Sequence, residues 1–385
     1  MTFPQVATDV ATPEATVEAV RSLEGSGELA VDVEADAMHA FRASLCFVQV
    51  ATDRALFLFD TLAAGVEAKA LVPLLSNASS TKYFHAAGGD LQYLAEAGVR
   101  VRGLFDTHRA ATLLGWQKVG LADLARERLQ VELAKEHQQS DFAMRPLPPE
   151  VRAYIADDVR YLCEIGRQVK EECRKADILE EVLLDCERLC AEAEARPDLS
   201  EFKPRLPRGS MSATQYALGM AIGALLHEKR LGWAEAANVP MGRMLSNAAV
   251  TAIAQRAPTT LKELSRLEGV RGAFTREHGE EVLELVRILV ELQRAGTLQP
   301  QEEKKGRRDP NKKKREDALK AWRAEKAAER KVTPSVVLPN ALVEDLSRLG
   351  SPGAKEIGAV PWFGEKRERL YAADLAELLA KFPPT

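Results

Sequence analysis

The chain is poor in cysteine and histidine, carries no strong net charge and has no long apolar run, and each shortage excludes something. Its five cysteines, Cys46, Cys163, Cys173, Cys186 and Cys190, form no CxxC pair. Cys186 and Cys190 have helical spacing, with no second pair and no histidine motif nearby, which argues against structural zinc. An odd number of such thiols is expected in reduced, cytosolic form. No apolar run approaches the ~18 residues that a membrane span requires. The first residues, MTFPQVATDVATPEAT, lack the basic start and apolar core of a signal peptide. A soluble, cytoplasmic protein is expected. A net charge of −4 does not announce a nucleic-acid binder. Net charge averages over domains, however, and a local basic patch is enough to contact phosphate.

What is present suits a folded, multidomain chain. Apolar residues make up 46% and charged residues 29% of 385, enough for two or three cored domains. The most informative stretch is residues 151–165, VRAYIADDVRYLCEI. At about 100° per residue, Val151, Ile155, Asp158, Leu162 and Ile165 share one helical face. An acid therefore sits in an apolar stripe, while its neighbour Asp157 projects to the solvent side with Arg160 and Glu164. An ionised carboxylate turned inward must be paired, hydrogen-bonded or bound to a metal. Tyr154, one turn earlier, lies within reach of Asp158.

Along the chain, residues 13–23 read as a helix and residues 28–34 (ELAVDVE) as a period-two strand. Leu29, Val31 and Val33 point one way, and Ala30, Asp32 and Glu34 point the other. The D-x-E pair thus projects two carboxylates from one sheet face; alone, it is more often a wet strand face than a metal site. Residues 44–50 and 55–59 read as an antiparallel hairpin, and residues 66–75 as helical. A short strand, KYFH, runs into Ala86-Ala87-Gly88-Gly89, and Asp90 opens a helix. The glycine pair is expected to let the backbone turn sharply there. An acid in a first helical turn commonly serves only the helix dipole. Residues 101–105 read as a strand, with Asp106 capping the next helix rather than binding a ligand. The polar segment 136–149 reads as a loop beside the site.

Residues 196–210, rich in proline and charge, form a linker. Everything after it is helical in pattern, and it repeats. Leu245, Asn247, Ala248 and Val250 recur as Leu338, Asn340, Ala341 and Val343, and Arg230 recurs as Arg323, all at one offset. Between the copies, Lys304 to Arg315 is dense in lysine and arginine. It reads as a flexible linker that also attracts phosphate in a sequence-independent, salt-sensitive way.

Asp32, Glu34, Asp90 and Asp158 together offer hard oxygen ligands suited to Mg²⁺ or Mn²⁺. Two such ions are a usual device for hydrolysing phosphodiesters. Asp32-x-Glu34, His85-Ala-x-x-x-Asp90 with Asp106-Thr107 downstream, Gln139-Ser-Asp-x-x-x-Arg145-Pro-Leu and Tyr154-x-Ala-x-Asp158-Val-x-Tyr161-Leu resemble the three exonuclease motifs of ribonuclease D. That family belongs to the tyrosine-bearing branch of the DEDD 3′-to-5′ exonucleases. The repeated helical segment resembles HRDC domains.

The resemblance implies an α/β fold: a ribonuclease H-like mixed-sheet exonuclease domain (1–195), a linker (196–210), a first HRDC-like domain (211–296), a basic linker (297–314) and a second HRDC-like domain (315–385). It implies that Asp32 bridges two divalent cations, that Glu34 and Asp158 serve the cation holding the attacking water, and that Asp90 supports the other mainly through water. Tyr154 then orients the water. Arg145, His85 and Gln49 are the candidate substrate contacts, although His85 also suits a structural role and Arg145 could equally tie down its loop. The remaining histidines have no ligand spacing. Position 35 is Ala where relatives often carry an aromatic, and Asp36 follows closely. The implied activity is a metal-dependent 3′-to-5′ exoribonuclease releasing nucleoside 5′-monophosphates from RNA with a free 3′ end, such as tRNA precursors. The alternatives are a DNA-directed exonuclease of the same superfamily and a non-catalytic nucleic-acid-binding protein.

Overall fold

The computed structural model describes residues 3–36, 41, 43–134, 137–195, 202–298 and 309–384. The N-terminal domain begins with β1 (Thr8–Val10), α1 (Pro13–Leu23), β2 (Glu28–Ala35), β3 (Leu45–Ala51) and β4 (Leu56–Asp60). It continues through α2 (Val72–Leu75), β5 (Thr81–Phe84), α3 (Gly88–Glu96), β6 (Leu104–Asp106), α4 (Thr107–Leu113) and α5 (Leu121–Leu129). Helices α6 (Pro149–Arg160), α7 (Leu162–Lys175) and α8 (Leu179–Glu194) complete it. Local chemistry explains the ends: Thr12 caps α1 by accepting from Ala15 N–H, with Pro13 in the first turn.

Among the described residues the strands form one mixed sheet in the order β1-β4-β3-β2-β5-β6. The β3 strand runs antiparallel to both neighbours, and the other pairings are parallel. This is the mixed α/β architecture expected from a hairpin followed by strand–helix alternation. No sequence pattern announces β1, because three residues are too few to show a period. Leu29, Val31 and Val33 are buried on one face, each contributing roughly 1.5–3 kcal/mol. Over the other face α6 packs across β2, β3 and β4.

Two expectations need correction here. The stretch 151–165 is not one helix: α6 stops at Arg160, and Tyr161 (φ −108°, ψ −6°) joins it to α7. The Tyr161 ring packs edge-on against Phe3 at 4.9 Å, a contact no local pattern announces. Nor do the glycines make the turn after β5. Ala86 carries the left-handed conformation (φ 61°), while Gly88 and Gly89 already belong to the first turn of α3.

The C-terminal part is helical: α9 (Ala213–Ala236), α10 (Met241–Met244), α11 (Asn247–Arg256), α12 (Leu261–Leu264) and α13 (Gly272–Arg294), then α14 (Asn311–Arg330), α15 (Pro334–Val337), α16 (Asn340–Arg348), α17 (Ala354–Gly358) and α18 (Glu365–Ala380). The repeat has a physical basis. Arg230 donates to Leu245 O and Asn247 Oδ1, and Arg323 donates to Leu338 O and Asn340 Oδ1. Left-handed residues also recur in step: Asn238 with Lys331, Ala257 with Gly350, and Gly269 with Trp362. The basic segment is only partly a linker. Residues 304–308 lie outside the described residues, but Lys312 to Arg315 form the start of α14, and the Arg315 guanidinium is buried against Ser347 O and Phe382 O.

The chain divides into two compact units, one joining the N-terminal domain with α14–α18 and the other holding α9–α13. Within the first, buried Glu181 of α8 meets Arg330 at 3.2 Å and Lys366 at 3.3 Å, and Thr333 Oγ1 donates to Leu113 O at 2.9 Å. Among the described residues, no helix is long and apolar enough to cross a membrane.

Candidate active site

The site is built at the carboxyl ends of β2 and β5. Parallel pairing runs as far as Ala30 with Tyr83, and two residues further come Asp32 on β2 and His85 just past the end of β5. Asp32 lies opposite Gln49, and Glu34 opposite Phe47. A register shift directly after Glu34 bends the strand end there, as bulges beside active sites often do. Asp158 reaches the same face from α6. The structure brings ligand oxygens of Asp32, Glu34 and Asp158 within 4.8 Å of one another. Asp90, in the first turn of α3, stands outside that trio, yet its charge still acts on Asp32 and Glu34.

The electrostatics follow from crowding like charges in a poorly solvated place. Burial, then Asp90, holds the Asp32 carboxyl well above the carboxylate range. Burial, then Asp32 and Asp158, pushes Glu34 up to about 10. Burial, then Asp106 and Asp158, pushes Asp90 up to about 7. Asp158 is raised by burial and Asp32, against a hydrogen bond from Tyr154 that favours its ionised form. The Tyr154 phenol is in turn raised by burial and by the acids around it. Asp157, by contrast, is more than one-third exposed and pairs with Arg160 at 2.7 Å. The donor set, all carboxylate oxygen, fits a hard divalent cation.

The other sequence candidates sit differently. Arg145 spends its donors on the protein: two bonds to Asp60 at 2.6 Å and further ones to Phe142 O, Met144 O and Cys46 O. Of the two roles weighed for it, the geometry favours tying down the loop over contacting substrate. Gln49 is wholly buried beneath α6, out of a substrate's reach. His85 shares Nδ1 with Thr107 Oγ1 at 2.8 Å, and Thr107 Oγ1 donates its proton to Phe84 O at 3.0 Å. His85 Nδ1 must therefore be the donor. Burial holds this imidazole down at about 4, so it is neutral.

Asp106 is a cap, as expected, but of wider reach. It accepts from His108 and Arg109 N–H on α4, and from Ala86 and Ala87 N–H at 3.1 and 2.9 Å. It thereby holds the strained turn that delivers Asp90. His137, to which the sequence assigned no role, lies edge-on to Tyr154 at 6.1 Å; its place in the polar segment before α6 was the only hint.

The chain is similar to known proteins. Residues 6–174 match the family described as 3′-5′ exonuclease, and residues 221–286 and 312–379 match the HRDC domain. A ribonuclease D of Gluconacetobacter diazotrophicus is 30% identical over 280 residues, covering 72% of this chain and 70% of that protein. The chain belongs to the ribonuclease D family. It is accordingly a 3′-to-5′ exoribonuclease. Mouse exosome complex component 10 is 35% identical over 157 residues, but these span only 18% of that protein. The Escherichia coli RNase D structure covers 98% of this ribonuclease D-family chain and is itself covered completely, with a TM-score of 0.73 at 22% identity. That likeness speaks to the fold.

Proposed function

We propose that this ribonuclease D-family enzyme shortens structured RNA precursors, tRNA among them, from a free 3′ end by two-metal hydrolysis, releasing nucleoside 5′-monophosphates. The observation that carries the reading is the Asp32–Glu34–Asp158 trio, three carboxylates within 4.8 Å whose neighbouring charges repel them. Asp32, Glu34 and Asp158 would hold the cations, with Asp90 acting through water from outside the trio. Mg²⁺ or Mn²⁺, when bound, supplies the charge that ionises these acids, acidifies a water and stabilises the leaving oxygen. Tyr154 keeps its proton, because its hydroxyl donates to Asp158, and orients the attacking water. The substrate clause rests on similarity: the E. coli relative is described as an exoribonuclease involved in structured RNA processing. The helical copies would hold the body of such an RNA while its end enters the site.

Matched RNA and DNA oligomers, labelled at the 5′ end and incubated with Mg²⁺, Mn²⁺ or EDTA, test this. A ladder shrinking from the 3′ end on RNA alone, and only with a cation, is expected. Digestion in EDTA would sink the metal reading, and equal digestion of DNA would sink the RNA preference. Removing residues 211–385 should weaken binding of structured RNA more than hydrolysis of a short single strand. An equal loss on both would make the helical copies mere supports.

A further inference from the structure

Gln49 is 0% exposed, and neither its Nε2 nor its Oε1 has a hydrogen-bond partner. A buried amide left unmet carries a desolvation penalty, so native structures seldom keep one without a reason. Packing does not supply the reason. Side chains directly opposite one another on antiparallel strands share a face, and those around Gln49 are Leu58 on β4, Phe47 and Ala51 on its own strand, and Asp32 on β2. Ile155 and Val159 of the covering helix are fully buried as well. A methionine or leucine would fill such a place with no polar atom to satisfy. The polar strand neighbour directly opposite is Asp32, at the separation where opposed side chains touch, about 4.5–5.5 Å between Cβ atoms, whereas Glu34 and Asp60 on the same face lie on the longer diagonals.

We propose that Gln49 is a positioning residue for Asp32: its Nε2–H would donate to the Asp32 carboxylate and so fix the orientation in which that carboxylate would hold a cation. This rests on the metal-binding reading given above. Partners of this kind behind a metal ligand commonly govern affinity by roughly 10- to 100-fold. The Gln49 amide, with no hydrogen-bond partner of its own, is then a donor held ready for the Asp32 carboxylate. It neither touches substrate nor takes part in the chemistry.

The test uses the full chain as wild type, Gln49→Met and Gln49→Leu. Mn²⁺ binding is followed by electron paramagnetic resonance of the free ion, and melting is measured in EDTA. The expected result is a pair of opposite changes in either variant: melting at or above wild type, because an unmet amide is gone, and Mn²⁺ affinity lower by about 10- to 100-fold. Unchanged Mn²⁺ affinity overturns the proposal. Melting well below wild type in both variants also overturns it, assigning Gln49 to the fold. If wild type itself binds no Mn²⁺, the metal reading falls and takes this inference with it, an outcome told apart because it appears in the unmodified chain.

Discussion

Glu181 and Asp32 are both acids largely withdrawn from water, and the chain treats them in opposite ways. Glu181 is met by Arg330 and Lys366, brought from the second helical copy, with Arg330 held in addition by the Tyr371 hydroxyl. Asp32 is met by Glu34, Asp90 and Asp158. A buried charge given its counter-charge by the same chain joins two parts of a fold. One surrounded by further acids is incomplete until a cation arrives from solution.

The sharpest way to break this contrast is Asp158→Ala, which should abolish Mn²⁺-dependent digestion of 3′-OH RNA while RNA binding in EDTA changes little. Full activity would remove Asp158 from the site. Glu181→Ala should cost about 3 kcal/mol of stability, the scale for leaving buried cations without their partner. Denaturant unfolding reads it directly, and a change within the error of that method would reduce the cluster to a surface pairing. Next comes Tyr154→Phe, expected to lower kcat about tenfold, the scale of one charge-assisted hydrogen bond, with Mn²⁺ affinity unchanged. A loss carried by Mn²⁺ affinity instead would make the phenol a support for Asp158.

Acidity sharpens the contrast further. Glu34 is raised to about 10 in the fold from an ordinary value of 4.5. Between these values the folded protein holds a proton that the unfolded chain lacks, so stability in EDTA falls as pH rises through that window. Glu34→Gln removes the liability. It should raise the melting temperature in EDTA at pH 8 by roughly 2–4 °C and leave it nearly unchanged at pH 4. A rise of the same size at both pH values would show that repulsion is not the cause.

How much of this could be read from the chain depends on the distance over which each feature is encoded. Asp32 and Glu34 share a sheet face because period two is local, and Asp158 departs from an apolar stripe within one helix. The helical copies are legible because Arg230 and Arg323 make the same internal bonds and so recur at one offset. The surfaces of the copies are free to diverge: at that offset, Arg330 and Lys366 answer to Ala237 and Ala273. The docking of the second copy onto Glu181 was therefore invisible to the repeat. So were the reach of Asp106 across to Ala86 and Ala87, the tie of Arg145 to Asp60 and the break at Tyr161. Each depends on a partner far away in sequence, and no period in the chain records it.

The smallest expected effect tests the contrast at its finest grain. Asp157 and Asp158 are adjacent and chemically alike, and α6 turns them to different surroundings. Asp158 accepts from Tyr154 and lies among acids, whereas Asp157 pairs with Arg160 one turn on, at the half-exposed side of the helix. Arg160 keeps a second bond, to Pro4 O, when Asp157 is lost. Screening by water limits the pair to a modest value, so Asp157→Ala should change stability by no more than about 0.5 kcal/mol and leave turnover within twofold or so. If Asp157→Ala instead lowered turnover as deeply as Asp158→Ala, the two acids would be acting as one unit. The distinction between paired and unpaired carboxylates would then fail at the point where it is drawn most finely.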